Sequence, residues 1–176
     1  LMSAAGRRYM LNTGFVCDST ALEAEWDCLD NAIRAVNDNS LRRHFIDLRH
    51  CLMSLHDLAG TFASLSSHTA LNEVELFEIK NLCYLSKTAT AAIESLNLGA
   101  TLPLPDCSPV FALLDPDHTG IANFYIYDSY DQRLAPLRRE LNALQTSGGD
   151  SLRISQLLAQ QNEIQTEVCI QLSDRL

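Results

Sequence analysis

The sequence has little of what most nucleotide, metal and nucleic-acid chemistry requires. Its 176 residues hold only two lysines, Lys80 and Lys87. Lys80 is followed by Asn81, Lys87 precedes Thr88 only inside a helical stretch, and neither ends a Gly-rich loop, so ATP chemistry within this chain is excluded on motif grounds. No apolar run exceeds the five residues Val110–Leu114, against the roughly 20 that a membrane span needs. The first residues, Leu-Met-Ser-Ala-Ala-Gly-Arg-Arg, lead into no hydrophobic stretch of signal-peptide length. Aromatic residues make up 7% of the chain, with 7 Gly and 5 Pro, too few strand and turn formers for an all-β fold. Positive charge is short as well: 13 Lys and Arg against 22 Asp and Glu leave −9. Phosphate backbones and anionic membranes repel such a surface. The six cysteines form no CxxC pair and read as reduced thiols of a cytoplasmic protein.

What is present is helical periodicity, and the expected class is all-α with one short strand. After a lead-in over 1–18, Leu22, Trp26, Leu29, Ile33 and Val36 mark an amphipathic helix with one apolar stripe. Leu41, Phe45, Leu48, Leu52, Leu55, Ala59 and Phe62 predict a second running to about Leu65. Asn72 with Glu75 opens a third, from Val74 to Leu96, in capping-box style. Gly99 suits a left-handed helix exit, Pro103 and Pro105 mark a linker, and Ser108-Pro109 starts a short helix. Phe124–Tyr127 is the strand candidate, needing a partner such as part of the lead-in. The leucine spacing returns from Ser129, with Pro136 confined to the first turn or two. Residues from about 131 to 145 and from 151 to 176 predict an antiparallel hairpin around Ser147-Gly148-Gly149-Asp150. Its second helix spans roughly 39 Å, with Ile154, Leu158, Ile164, Val168 and Leu172 as its stripe.

Few residues offer chemistry. Asp115, Asp117 and Thr119 alternate before Gly120 as in half a calcium loop, but position twelve is Ile126, where a bidentate carboxylate is needed. An Asx-type turn is the plainer reading. His56-Asp57 resembles the metal-binding dipeptide of the HD phosphohydrolases, with His44 and Asp115 as nominal further ligands. On one continuous helix, His44 and His56 would stand roughly 18 Å apart and share no metal. No catalytic nucleophile is evident: Gly-x-Ser-x-Gly is missing and the cysteines lack a His-plus-cation setting. Arg42, Arg43 and Arg49, and Arg133, Arg138 and Arg139, are the basic clusters, read as solvated faces or internal ion pairs.

The stretch Ile126-Tyr-Asp128-Ser-Tyr130-Asp131-Gln-Arg-Leu134-Ala-Pro-Leu137-Arg138 resembles the MutS family of mismatch-repair ATPases, where the helical core hands over to the lever. It keeps the family's Asp, Tyr-Asp, two leucines and arginine at Asp128, Tyr130, Asp131, Leu134, Leu137 and Arg138. Ser129 stands where the family has glycine, and Arg133 and Pro136 where it has acids. The resemblance implies a lead-in over 1–18, a helical core over 19–127 and a lever-like hairpin over 128–176. Such a piece is clamp-less, non-catalytic, and belongs to a longer parent with a C-terminal ATPase. Its role would be to couple ATP-dependent rearrangement to DNA engagement in DNA repair. ATP and magnesium would belong to the absent ATPase; DNA would be met through the parent, itself a homodimer, with no membrane partner. The rival readings are an HD-type metal-dependent phosphohydrolase and a helical protein-interaction module.

Overall fold

The computed structural model describes residues 3–15, 17–148 and 150–176, and all its regular structure is helical. Eight α-helices occur among the described residues: α1 (Ala4–Asn12), α2 (Ser19–Asn37), α3 (Arg42–Met53), α4 (Ala59–Ser66), α5 (Glu73–Ser95), α6 (Ser108–Leu113), α7 (Leu134–Ser147) and α8 (Ser151–Arg175). They pack as two compact units. One comprises residues 1–58 and 81–109, the other 59–80 and 110–176. Residues 59–80 and 110–127, counted with the core in the sequence-based partition, thus group with 128–176. Gly149, part of the expected tight connection, lies outside the described residues, as do Leu1, Met2 and Val16 of the lead-in.

In the first unit, Ala35 of α2, Leu48 and Cys51 of α3, and Ala89, Ala92 and Ile93 of α5 form one buried cluster with Leu96 and Leu98. Alanines at these positions let helix backbones approach closely. Asp18 caps α2 by accepting from the Ala21 amide at 3.0 Å. The chain leaves α5 through Asn97, at φ +57°, with Leu98 N donating to Ile93 O at 3.0 Å. That is a Schellman exit, and it places the left-handed residue two positions before Gly99.

The expected helix over 41–65 is two helices. Ser54 Oγ bonds back to His50 O at 2.9 Å, residues 55–58 are irregular, and α4 starts at Ala59. Leu55 and Ala59 keep the apolar spacing across a stretch that is not helical, in which Leu58 is buried. The lead-in, in turn, contains α1, whose N-cap Ser3 accepts from Gly6 N at 3.1 Å.

In the second unit, Asn72 Oδ1 accepts from Val74 N and Glu75 N at 2.9 and 3.0 Å, while Glu75 Oε2 accepts from Asn72 N at 2.9 Å. These bonds satisfy donors that a helix start leaves open. Leu71 N donates to Ser173 Oγ at 2.8 Å, tying the entry of α5 to α8. Arg153 pairs with Glu140 at 2.6 Å and Arg133 with Glu167 at 2.5 Å. Their order along the chain makes α7 and α8 antiparallel. α7 starts at Leu134, later than expected, because Pro136 has no amide hydrogen and is tolerated only in a first turn. On α8 Leu157 is buried while Leu158 is exposed, so the buried stripe runs Leu157, Ile164, Val168 and Leu172, with Cys169 beside it.

Phe124–Tyr127 is not a strand: the segment is irregular and followed by a 3-10 turn over Asp128–Tyr130. No strand occurs among the described residues, and the lead-in is helical over Ala4–Asn12. The apolar run is instead consumed by burial, since Ile126 and Tyr127 are fully inaccessible.

Candidate functional site

The densest polar chemistry lies in the second unit, around residues 111–138. Its centre is Lys80, on the first third of α5 and fully buried. Leu76, Ile79 and Cys83 are also buried, so Lys80 occupies the helix's apolar stripe, a position normally taken by a hydrocarbon. Its ammonium donates to Asp115 Oδ1 at 3.0 Å, Asn123 O at 2.8 Å and Tyr127 Oη at 3.1 Å. The three donors of the group are thereby satisfied. The rings of Phe111 and Tyr127 stand 5.5 and 5.3 Å from it, close enough for cation–π attraction.

Asp115 is the counter-ion and also organises its own loop. Its carboxylate accepts from Thr119 Oγ1 at 2.6 Å and from Gly120 N at 2.8 Å; Gly120 takes φ +71° to deliver that amide. Burial raises the Asp115 pKa, but the bonds from Thr119, Gly120 and Lys80 outweigh it and bring the value down to about 2. The calcium-like spacing is therefore an Asx-type turn folded on a lysine ammonium. In the sequence Lys80 bears on function only as a candidate phosphate-loop lysine; its place on an apolar stripe is the signal that a partner acid must be found.

The junction follows directly. Arg138 of α7 donates to Asp128 Oδ1 at 2.5 Å and to Ile126 O at 2.7 Å. Tyr130 Oη donates to Leu113 O at 3.0 Å, and Ser129 Oγ to Asp117 Oδ1 at 2.6 Å. Asp131 accepts from the amide of Arg133 at 2.8 Å and from its guanidinium at 2.7 Å. Hydrogen bonds from Arg133 hold the Asp131 carboxyl below the usual range. Phe124, Tyr127 and Tyr130 form an edge-packed group with ring centroids 5.9 to 6.4 Å apart. Leu134 is fully buried and Leu137 partly so. Asp128, Tyr130, Asp131, Leu134 and Arg138 are thus gathered in one knot, with Leu137 one turn along.

The other nominated residues do not assemble. His44 lies on α3 and His56 beyond its end, and Asp57 takes Arg8 at 2.6 Å. Asp115 is engaged by Lys80. No group of three or more His, Cys, Asp or Glu able to hold a metal occurs among the described residues. Arg42, Arg43 and Arg49 are exposed on α3. Arg133 and Arg138 are spent on acids, while Arg139 donates to Ala135 O. All six cysteines are free. Burial pushes the Cys83 thiol up to about 12, with a further push from Cys107, and burial together with Glu73 raises Cys169 to about 11. These are the reverse of activated nucleophiles. Among the described residues no helix is long and apolar enough to cross a membrane.

The result is a knot of satisfied bonds around a buried ion pair. It holds a loop, a 3-10 turn and a helix start in one geometry. In comparisons with known proteins, no family model, no curated protein and no solved structure matches the chain.

Proposed function

We propose that this chain is the non-catalytic core and lever piece of a MutS-like DNA repair ATPase, transmitting ATP-dependent rearrangement to the part of the parent that engages DNA. The observation that carries the reading is the knot at residues 126–138. The positions that resemble the family's core–lever junction are the ones that clasp: Arg138 on Asp128 and Ile126 O, Tyr130 on Leu113 O, and Asp131 on Arg133. Rearrangement passes through rigid elements joined by stiff connections rather than through flexible ones. A long helix pair that starts in such a knot suits that duty. On this reading the protein is cytoplasmic, and ATP and magnesium are held by a nucleotide-binding domain outside these residues.

The coding sequence after codon 176 tests the reading. It is expected to run on into a domain with a Gly-rich loop ending in Lys-Ser or Lys-Thr. A stop codon, or continuation into an unrelated domain, would overturn the assignment.

A further inference from the structure

The helix α2 carries its apolar stripe on the wrong side for a core. Toward the buried cluster of its unit it turns small residues: Cys28 and Ala32 are half-buried and Ala35 is buried. Leu22, Trp26, Leu29, Ile33 and Val36 are 43, 69, 60, 48 and 47% exposed. At about 100° per residue these five fall within an arc of roughly 80°, and they extend about 21 Å along the helix. A continuous apolar ridge of this length, centred on a tryptophan, has the spacing by which one amphipathic helix recognises another. Tryptophan is the side chain most often found to anchor such contacts.

The borders of the ridge specify the occupant. Glu23, Asp27 and Asp30 follow one another along one border and Glu25 lies on the other. The single base of the helix, Arg34, is already paired with Asp30 at 3.7 Å. Leu22, Glu23, Trp26 and Asp27 together line one shallow depression, so acid and apolar groups meet there. A second copy would bring acids against acids, with −9 on each chain, and an anionic bilayer is repelled likewise. We propose that α2 is the docking surface for an amphipathic helix of a partner protein whose apolar face is bordered by lysine and arginine. The pairing follows the rule by which flanking charges select partners in helix–helix contacts.

Trp26 is the only tryptophan of the chain, so its emission reports occupancy of the ridge directly. The full chain is titrated with two synthetic helical peptides of identical leucine stripe, one bordered by Lys and Arg and the other by Glu. The basic peptide should shift Trp26 emission to the blue and saturate at micromolar concentration, with the acidic peptide at least about tenfold weaker. The neutral double substitution Leu29→Gln and Ile33→Gln, at exposed sites, should weaken the basic peptide by about tenfold or more while leaving the circular dichroism spectrum and melting temperature unchanged. Equal affinity for both peptides, or no effect of the double substitution, would overturn the proposal. So would a concentration-dependent blue shift of the chain alone, which would assign the ridge to a second copy, or a shift on phosphatidylserine vesicles, which would assign it to a membrane.

Discussion

Lys80 and Asp115 form a buried pair with unequal dependents, and the inequality can be measured. Without Asp115 the ammonium keeps only Asn123 O and Tyr127 Oη and remains a charge in an apolar stripe. Asp115→Ala should therefore cost about 3–5 kcal/mol in urea unfolding. Lys80→Met restores a hydrocarbon to the stripe and leaves Asp115 its bonds from Thr119 and Gly120. It should cost less than half as much, and equal costs would show that the pair is not the organiser of the loop. The carboxyl of Asp115 is depressed to about 2 in the folded chain, below its unfolded value near 4. Its contribution to stability is complete above about pH 4 and is lost as pH falls through about 2. Melting curves between pH 2 and 5 should show a steeper acid limb for the native chain than for Asp115→Asn. Thiols give a second residue-scale check: Cys83, raised to about 12 and buried, should react with iodoacetamide at pH 8 only on unfolding, whereas exposed Cys17 should react at once. Modification of native Cys83 as fast as Cys17 would contradict its burial. The apolar stripe shows locally that Lys80 needs a partner, but not which one, because the acid that makes it tolerable lies 35 residues away.

At the scale of elements, the sequence shows where helices are but not which faces they bury. Asn72 and Glu75 announce the start of α5 by local hydrogen bonding, which needs no tertiary knowledge. Pro136 likewise constrains the start of α7 by its missing amide hydrogen. The stripe of α2 misleads, because periodicity records amphipathicity and not the side that meets a core; the small residues Cys28, Ala32 and Ala35 do that. The break between α3 and α4 hides because Leu52, Leu55 and Ala59 keep the spacing while the backbone leaves the helix over 55–58. Phe124–Tyr127 has strand composition without a partner, and burial of Ile126 and Tyr127 uses the same residues differently. The knot at 126–138 depends on Arg138, which bonds both the 3-10 turn and the preceding carbonyl. Arg138→Ala should cost about 1–3 kcal/mol and raise amide exchange at residues 126–131, with the far end of α8 unaffected. Unchanged exchange at 126–131 would mean that the aromatic group alone holds the junction.

For the molecule as a whole, charge and the grouping of elements bear on the proposed coupling role. With −9 overall and Arg133 and Arg138 committed to acids, the chain should not shift homoduplex, mismatched or branched DNA at physiological salt. Tight, steeply salt-dependent binding in a gel assay would show that Arg42, Arg43 and Arg49 grip phosphate. On the proposed reading the hairpin must also be rooted, since one that frays from its base transmits nothing. Residues 59–80 and 110–176 form one compact unit, in which Leu141 on α7 is 8% exposed. A charge placed there by Leu141→Asp loses its hydration without gaining a partner and should weaken that unit by a few kcal/mol. If the hairpin is rooted, hydrogen exchange on this variant loses protection over 59–80 and 110–176 together, while 19–58 and 81–109 keep theirs. Loss confined to 131–176 would describe a hairpin that melts away from its base, and coupling through it would have to be abandoned. Loss along the whole chain would make the two units one cooperative bundle, leaving no part free to move against another, and the lever reading would fall with it.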